Sequence, residues 1–211
     1  MPKQTFYNLK EDKRNLIINE SKKEFAEYGY YNSKIQRIST NSKIPVGSFY
    51  QYFNDLDDLF FYLIELLAKR KLEIIEEYLD KVTENCFKEK LKAIFLAGID
   101  FTIHEDKAYE LSCVLNSLIK DPNMSAKYQS LIKNTPNFFE ELVLEGIQNK
   151  EIRSDMTTEL FSIIFFKLHE GIISYLGLLE DKNKLDETKL NRLVDLEMSL
   201  LFNGIKGENN D

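Results

Sequence analysis

The 211-residue sequence predicts an all-α protein, with a small N-terminal three-helix head on a larger C-terminal helical body. Three observations carry that prediction. Apolar residues recur at helical period in nearly every segment and almost nowhere alternate strictly, which is the pattern of helices packed by one face. Glycines and prolines fall between the periodic stretches, where helices start and stop. Residues 33–53 hold two short helical patterns separated by only a few residues, the spacing of a helix-turn-helix.

The first helix is expected over 11–28, ended by Gly29 in the left-handed C′ role that glycine fills at no steric cost. Two short helices follow, over 34–41 and 45–53. Ser33 stands where an N-cap belongs and Gln36 lies three residues on, the spacing of a capping box. Ile35 and Ile38 then face inward. Pro45 has no N–H to lose and a φ suited to a first turn, so it can open the next helix, with Phe49 and Phe53 on its buried face. Asp55 caps a long helix over 56–81, where Leu59, Leu63, Leu66 or Leu67, Arg70 and Ile74 track one face. Further helices are expected over 87–104, 107–120, 125–133, 137–148, 157–180 and 187–204. Asp121-Pro122-Asn123 and Thr135-Pro136 break the middle ones, and residues 208–211 form a frayed tail.

The net charge of −7 is unevenly spread. Residues 1–54 carry nine basic against five acidic side chains, or +4, and the remainder carries −11. Uniform acidity would argue against nucleic acid, whereas this asymmetry places the positive charge on the head. On the second short helix, Val46, Ser48, Tyr50, Gln51 and Tyr52 point away from the buried face, a set of hydroxyls and an amide suited to phosphates and base edges. Cys86 and Cys113 fit no metal or redox spacing and are expected to be buried, reduced thiols. The first residues lack an apolar leader, and the run from Leu59 to Ala68 is too short to span a bilayer and is interrupted by Glu65, so a cytoplasmic protein is expected. No phosphate loop, nucleophile elbow, H-E-x-x-H or informative Cys/His pair is present, so neither catalysis nor a cofactor is expected.

At these residues the chain resembles the tetracycline-repressor (TetR) family of transcriptional regulators. The matching positions are Ile17, Ile18, Ser21, Phe25 and Gly29; then Ser33, Ile38 and Ser39; then Ser42, Ile44, Gly47, Phe49, Tyr50, Tyr52, Phe53 and Leu59. The likeness covers roughly the first third of the chain. Three positions depart from the family pattern. The Ala-Gly of the turn is Ser42-Lys43, which asks a non-glycine residue to adopt an unusual φ. The serine that starts the recognition helix is Pro45, and the lysine that starts the next helix is Leu56, beside Asp55, Asp57 and Asp58.

The resemblance implies a one-component regulator, a repressor that meets a double-stranded DNA operator through residues 1–55, with residues 56–211 binding an effector and dimerising. Carried over residue by residue, Val46, Ser48 and Gln51 would face the major groove, Tyr50 and Tyr52 would donate to phosphates, and Gly47 would allow close approach. Ser33 and Lys34 would meet the backbone, while Gln36 and Arg37 would reach a base edge or a phosphate. Tyr52 has packed core as its other reading. The helices over 157–180 and 187–204 are apolar on more than one face and must bury both, inside the domain or against a second copy. The family places a four-helix homodimer interface there, which would hold Leu168, Gly171, Ile172, Tyr175, Leu193 and Leu200.

The body is rich in aromatics, and Phe101, His104, Tyr109, Cys113, Asn116, Phe165 and His169 put isolated polar groups among apolar ones, the lining of a site for an apolar or aromatic small molecule. For each histidine taken singly, a satisfied core residue is the plainer reading. An effector bound there would shift the population away from the DNA-binding arrangement. The alternative reading is a helical small-molecule carrier or sensor whose head no longer reads DNA, suggested by Leu56 and its acidic neighbours.

Overall fold

The computed structural model describes residues 1–84, 86–132, 138–177 and 187–203, and its regular structure there is helical. In chain order the helices are α1 (Gln4–Tyr7), α2 (Glu11–Asn32), α3 (Ile35–Asn41), α4 (Val46–Tyr52), α5 (Leu56–Leu79), α6 (Phe87–His104), α7 (Ala108–Leu118), α8 (Pro122–Ile132), α9 (Phe138–Gln148), α10 (Thr158–Gly177) and α11 (Glu187–Asn203). Thr135-Pro136 and the tail at 208–211 lie outside the described residues.

Helix ends follow local chemistry. Asp55 Oδ1 accepts the Asp58 amide at 2.8 Å, the N-cap that starts α5. Asp121 Oδ1 accepts the amides of Asn123 at 2.8 Å and Met124 at 3.2 Å. Pro122 therefore opens α8 as its first residue instead of breaking it, and the helix begins three residues earlier than expected. Gly29 has φ 68° and ψ 176°, the positive φ expected of it, but a further turn runs on to Asn32. Pro45, with φ −60° and ψ 142°, is the residue before α4 and not its first member.

The backbone packs into two units, one of Met1–Arg70 with Glu105–Thr135 and the other of Lys71–His104 with Pro136–Asp211. In the first, Phe6, Ile17, Phe25, Ile38, Phe49, Phe53, Leu59, Phe60 and Leu63 are fully buried, with α2 against α3 and α7 and α1 against α4. In the second, Leu91, Phe95, Ile99, Val143, Phe165 and Val194 form the core, with α6 against α9, α10 and α11. Packing thus groups α7 and α8 with the head residues, a larger set than the residues 1–55 assigned to the head by role.

Two expectations are corrected. The thiols are not buried: Cys113 is exposed and Cys86 partly so. The capping box at Ser33 and Gln36 does not form, because α3 starts at Ile35 after an extended Lys34 that has no side-chain cap. The Ser33 hydroxyl turns back instead to donate to the Gly29 carbonyl at 2.6 Å.

Candidate nucleic-acid interface

The recognition helix α4 is amphipathic over only seven residues. Phe49 and the flanking Phe53 anchor it in the core, their rings 5.5 Å apart, which leaves Val46, Gly47, Tyr50 and Gln51 exposed on the opposite side. Tyr50 is 50% exposed with its ring edge-on to Phe49, whereas Tyr52 is half-buried with its ring 6.1 Å from Phe6. Tyr52 therefore belongs partly to the packed reading. A Cβ at Gly47 would meet nothing within 4 Å, so the glycine is not required by anything inside the chain. Lys34 and Gln36 are exposed at the start of α3, and Ser48 is half-buried.

The turn between α3 and α4 is built without glycine. Lys43 takes φ 54°, a left-handed conformation that costs an L-residue energy unless its surroundings hold it. The hold comes from α2, where Lys13 Nζ donates to the carbonyls of Ser42 at 2.8 Å and Lys43 at 2.9 Å. A cation is well placed on those carbonyls, since they end α3.

Arg37, expected to reach a base edge or a phosphate, is engaged within the head. The buried Glu24 carboxylate accepts Arg37 Nε at 2.9 and 3.0 Å and Nη2 at 2.5 Å, and it also accepts the Lys34 amide at 2.7 Å. Arg37 further donates to the Asn32 carbonyl at 2.6 Å and lies over the Tyr28 ring, 4.0 Å from its centroid. Glu24 thus does the capping work that the sequence assigned to Ser33, and the pair fixes α3 against α2. Its carboxylate holds the Arg37 guanidinium even further above its ordinary value.

Helix α1 escaped the sequence reading and sits directly on the recognition helix. Phe6 is fully buried, with its ring 4.9 Å from Phe53, 5.7 Å from Tyr62 and 6.1 Å from Tyr52. The Lys3 amide donates to the Tyr52 carbonyl at 2.8 Å, Lys3 Nζ to the Tyr50 carbonyl at 2.8 Å, and the Thr5 hydroxyl to the Gln51 carbonyl. These are among the last carbonyls of α4, which have no partner within the helix. The N-terminal segment is therefore a clamp on the C-terminal end of α4. Four residues are too few to show a period, and the Phe6-Tyr7 pair was the available signal.

The acidic run after α4 is also accounted for. Asp57 accepts from the Tyr30 hydroxyl and from Lys127, and Asp58 accepts the Asn54 amide at 3.1 Å and its side-chain amide at 2.6 Å. These contacts tie α5 to α2 and α8 within the first unit.

The residues expected to line an effector site separate into the two units. In the first, Cys113 lines an open groove of about 310 Å³ with Tyr28, Tyr30, Tyr31 and Val114, while Asn116 is exposed and Tyr109 half-buried. In the second, Phe165 and His169 lie in parallel, 6.3 Å apart, and Phe101 is buried. His104 is not with them: it is 74% exposed at the end of α6, with Nδ1 2.5 Å from Asp100. Of the residues assigned to a dimer contact, Gly171, Tyr175 and Leu200 are exposed and Leu168 and Leu193 half-buried, while the Ile172 side chain lies outside what is described. Leu160, Ile163, Phe166 and Leu196 are exposed on the same two helices. Among the described residues no group of three or more His, Cys, Asp or Glu could hold a metal ion, and no helix is long and apolar enough to cross a membrane.

Comparison with known proteins agrees with this geometry. Residues 17–63, which span α2 to α5, match the family model "Bacterial regulatory proteins, tetR family". The chain is 25% identical over 193 residues to the fatty acid metabolism regulator protein of Bacillus subtilis, covering 90% of this chain and 93% of that one. It is 37% identical over 76 residues to the HTH-type transcriptional regulator HbdR of Aromatoleum sp., covering 36% of this chain and 31% of that protein. Its fold superposes on the crystal structure of FadR from Bacillus subtilis in complex with stearoyl-CoA with a TM-score of 0.71 at 22% identity, covering 91% of this chain and 99% of that one. The geometry of the head, the match over residues 17–63 and the similar proteins and folds together support a DNA-binding transcriptional regulator of the TetR family.

Proposed function

We propose that the chain is a cytoplasmic, homodimeric one-component repressor, and not an enzyme, released from a palindromic operator by the acyl group of a long-chain acyl-CoA. The observation that carries the DNA half is the face of α4: Val46, Tyr50 and Gln51 stand clear of the core while α1 and the Phe49–Phe53 pair fix the helix beneath them. Residues 1–55 read DNA in this account, and residues 56–211 bind the effector and dimerise. Exposed Ile163, Phe166, Tyr175, Leu196 and Leu200 lie on α10 and α11, two helices that both pack on α6, and support pairing through them, because exposed apolar surface marks interaction sites. Support for the effector comes from the Bacillus subtilis relatives, one named for fatty acid metabolism and one solved with stearoyl-CoA.

Asp57 and Asp58 spend their charge on Tyr30, Lys127 and Asn54, which weakens the ground for a carrier with a head unable to approach DNA. The test is to select a duplex from a random pool with the full chain and then titrate stearoyl-CoA into the complex. Release by stearoyl-CoA but not by CoA alone is the expected result. A complex that survives saturating stearoyl-CoA would overturn the effector assignment, and failure to select any sequence would overturn the operator assignment.

A further inference from the structure

Besides Glu197, the second unit holds two nitrogen-bearing ionisable side chains set among its aromatic rings. His169 on α10 sits against α6 at Gly98, where an added Cβ would lie 2.6 Å from the ring's Cε1 and 2.8 Å from Nε2. Only the missing side chain at Gly98 makes room for the imidazole. Phe95 meets the ring edge-on with centroids 4.8 Å apart, and Phe165 stacks on it. In this apolar setting Nδ1 is buried and has no hydrogen-bond partner among the described residues. Burial, reinforced by the positive charge of Lys71, holds the imidazole neutral by lowering its pKa to about 3.

Lys71 on α5 is the second such group. Among the described residues no carboxylate pairs with it, and its nearest aromatic, Phe101, has its centroid 5.9 Å from Nζ, at the outer reach of a cation–π contact. Burial pushes its ammonium below the ordinary value. A methionine would fill the same space without the desolvation cost, and a leucine or phenylalanine at 169 would spare a buried, unsatisfied nitrogen. Two nitrogen groups within electrostatic reach of each other, His169 against Phe95 and Phe165 and Lys71 beside Phe101, offer donors and a positive charge to an oxygen acceptor.

Resting on the acyl reading above, we infer that Lys71 and His169 anchor the polar end of the effector, binding the carboxylate or thioester carbonyl oxygen at the head of a fatty-acyl chain. Lys71 supplies the charge and an N–H, and the imidazole supplies a second N–H. The aromatic rings take the first methylenes of the chain. An amine of the same chain length is disfavoured by this arrangement, because it would bring a second cation beside Lys71.

The experiment compares dodecanoate, lauroyl-CoA, 1-dodecanol and dodecylamine by calorimetric titration into the full chain, its Lys71→Met, Lys71→Arg and His169→Gln variants, each first checked for its melting temperature. The wild type is expected to bind dodecanoate or lauroyl-CoA at least tenfold more tightly than the alcohol and to bind the amine least. Lys71→Met should erase that tenfold preference while leaving affinity for the alcohol unchanged, and Lys71→Arg should restore it. Loss confined to dodecanoate identifies a free carboxylate as the natural head, and loss confined to lauroyl-CoA identifies the thioester. Acyl binding that is equal in wild type, Lys71→Met and His169→Gln overturns the anchor while leaving the acyl reading intact. Absence of any acyl binding by the wild type overturns both. If His169→Gln fails to fold, the Lys71 pair decides alone.

Discussion

Replacing Phe6 by alanine tests whether the N-terminal clamp holds the recognition helix. Phe6 is the buried residue of α1, and its ring contacts those of Phe53, Tyr62 and Tyr52. Truncating a fully buried phenylalanine costs about 3–5 kcal/mol. Part of that loss is avoidable if α1 simply undocks, but undocking also removes Lys3 and Thr5 from the carbonyls of Tyr50, Gln51 and Tyr52. A seven-residue helix is far shorter than the length at which isolated helices hold together, so α4 depends on such outside contacts. Amide exchange over residues 50–53 should therefore accelerate by about two orders of magnitude or more, one decade for each ~1.4 kcal/mol lost from local opening. Operator affinity should fall about tenfold or more, because binding must now order the helix. The control is Tyr7→Ala, which removes a side chain exposed on the same helix. Hydrogen exchange read by mass spectrometry, beside fluorescence anisotropy on a labelled operator, measures both. If Phe6→Ala exchanges over 50–53 like the wild type and binds DNA equally well, α1 is not a clamp.

Three further outcomes follow from other parts of the structure. Glu24→Gln should destabilise the head by about 2–4 kcal/mol in chemical denaturation, because the Arg37 charge loses its partner while staying partly buried; a loss below ~0.5 kcal/mol would mean the pair is ornamental. Lys43→Gly should raise stability by up to about 1 kcal/mol, since glycine adopts φ 54° without strain and the Lys13 bonds go to backbone carbonyls that remain; a destabilised variant would contradict the strained turn. Glu197 is 4% exposed, neither carboxylate oxygen has a partner among the described residues, and burial pushes its pKa from 4.5 up to about 7. The folded state then binds this proton more tightly than the unfolded state, so stability should fall as pH rises from about 4.5 to 7. Glu197→Gln should remove about 1–3 kcal/mol of that fall, and denaturation curves at pH 5 and pH 8 that match the wild type would refute it.

Helical period and the positions of proline and glycine made most of the fold legible. The expected α6 coincides with the observed one, α7 is one residue shorter at its start and two at its end, α9 ends where expected and α10 starts one residue later, while residues 137 and 178–180 lie outside the described residues. Phe49 and Phe53 were rightly placed in the core from spacing alone, and Lys43 was rightly singled out for its φ. The errors have one physical origin, which is that the deciding partner lies outside the local window. Ser33 has the right residue type for an N-cap, yet Glu24, ten residues earlier on α2, reaches the Lys34 amide first. Arg37 has the right chemistry for a guanine, yet that same carboxylate takes it. Asp57 and Asp58 read in the sequence as a bare acidic run, yet Tyr30, Lys127 and Asn54 bond to their oxygens. In the body, spacing could not distinguish His104, exposed at a helix end, from His169, seated at Gly98, because that difference depends on how α6 meets α10.

The central claim is that α4 reads base sequence, and its most direct measurement is selection of random duplex DNA by the wild type and by Gln51→Ala, with binding to the winners followed across salt. The wild type should enrich a pseudo-palindrome with half-sites centred about 34 Å apart or somewhat more, and its affinity should fall steeply with salt. Gln51→Ala should enrich a palindrome of the same spacing with relaxed preference at one symmetric pair of positions, as expected when a base-edge contact is lost and the phosphate contacts remain. Enrichment of no sequence by the wild type, or an identical preference in both proteins, would contradict it.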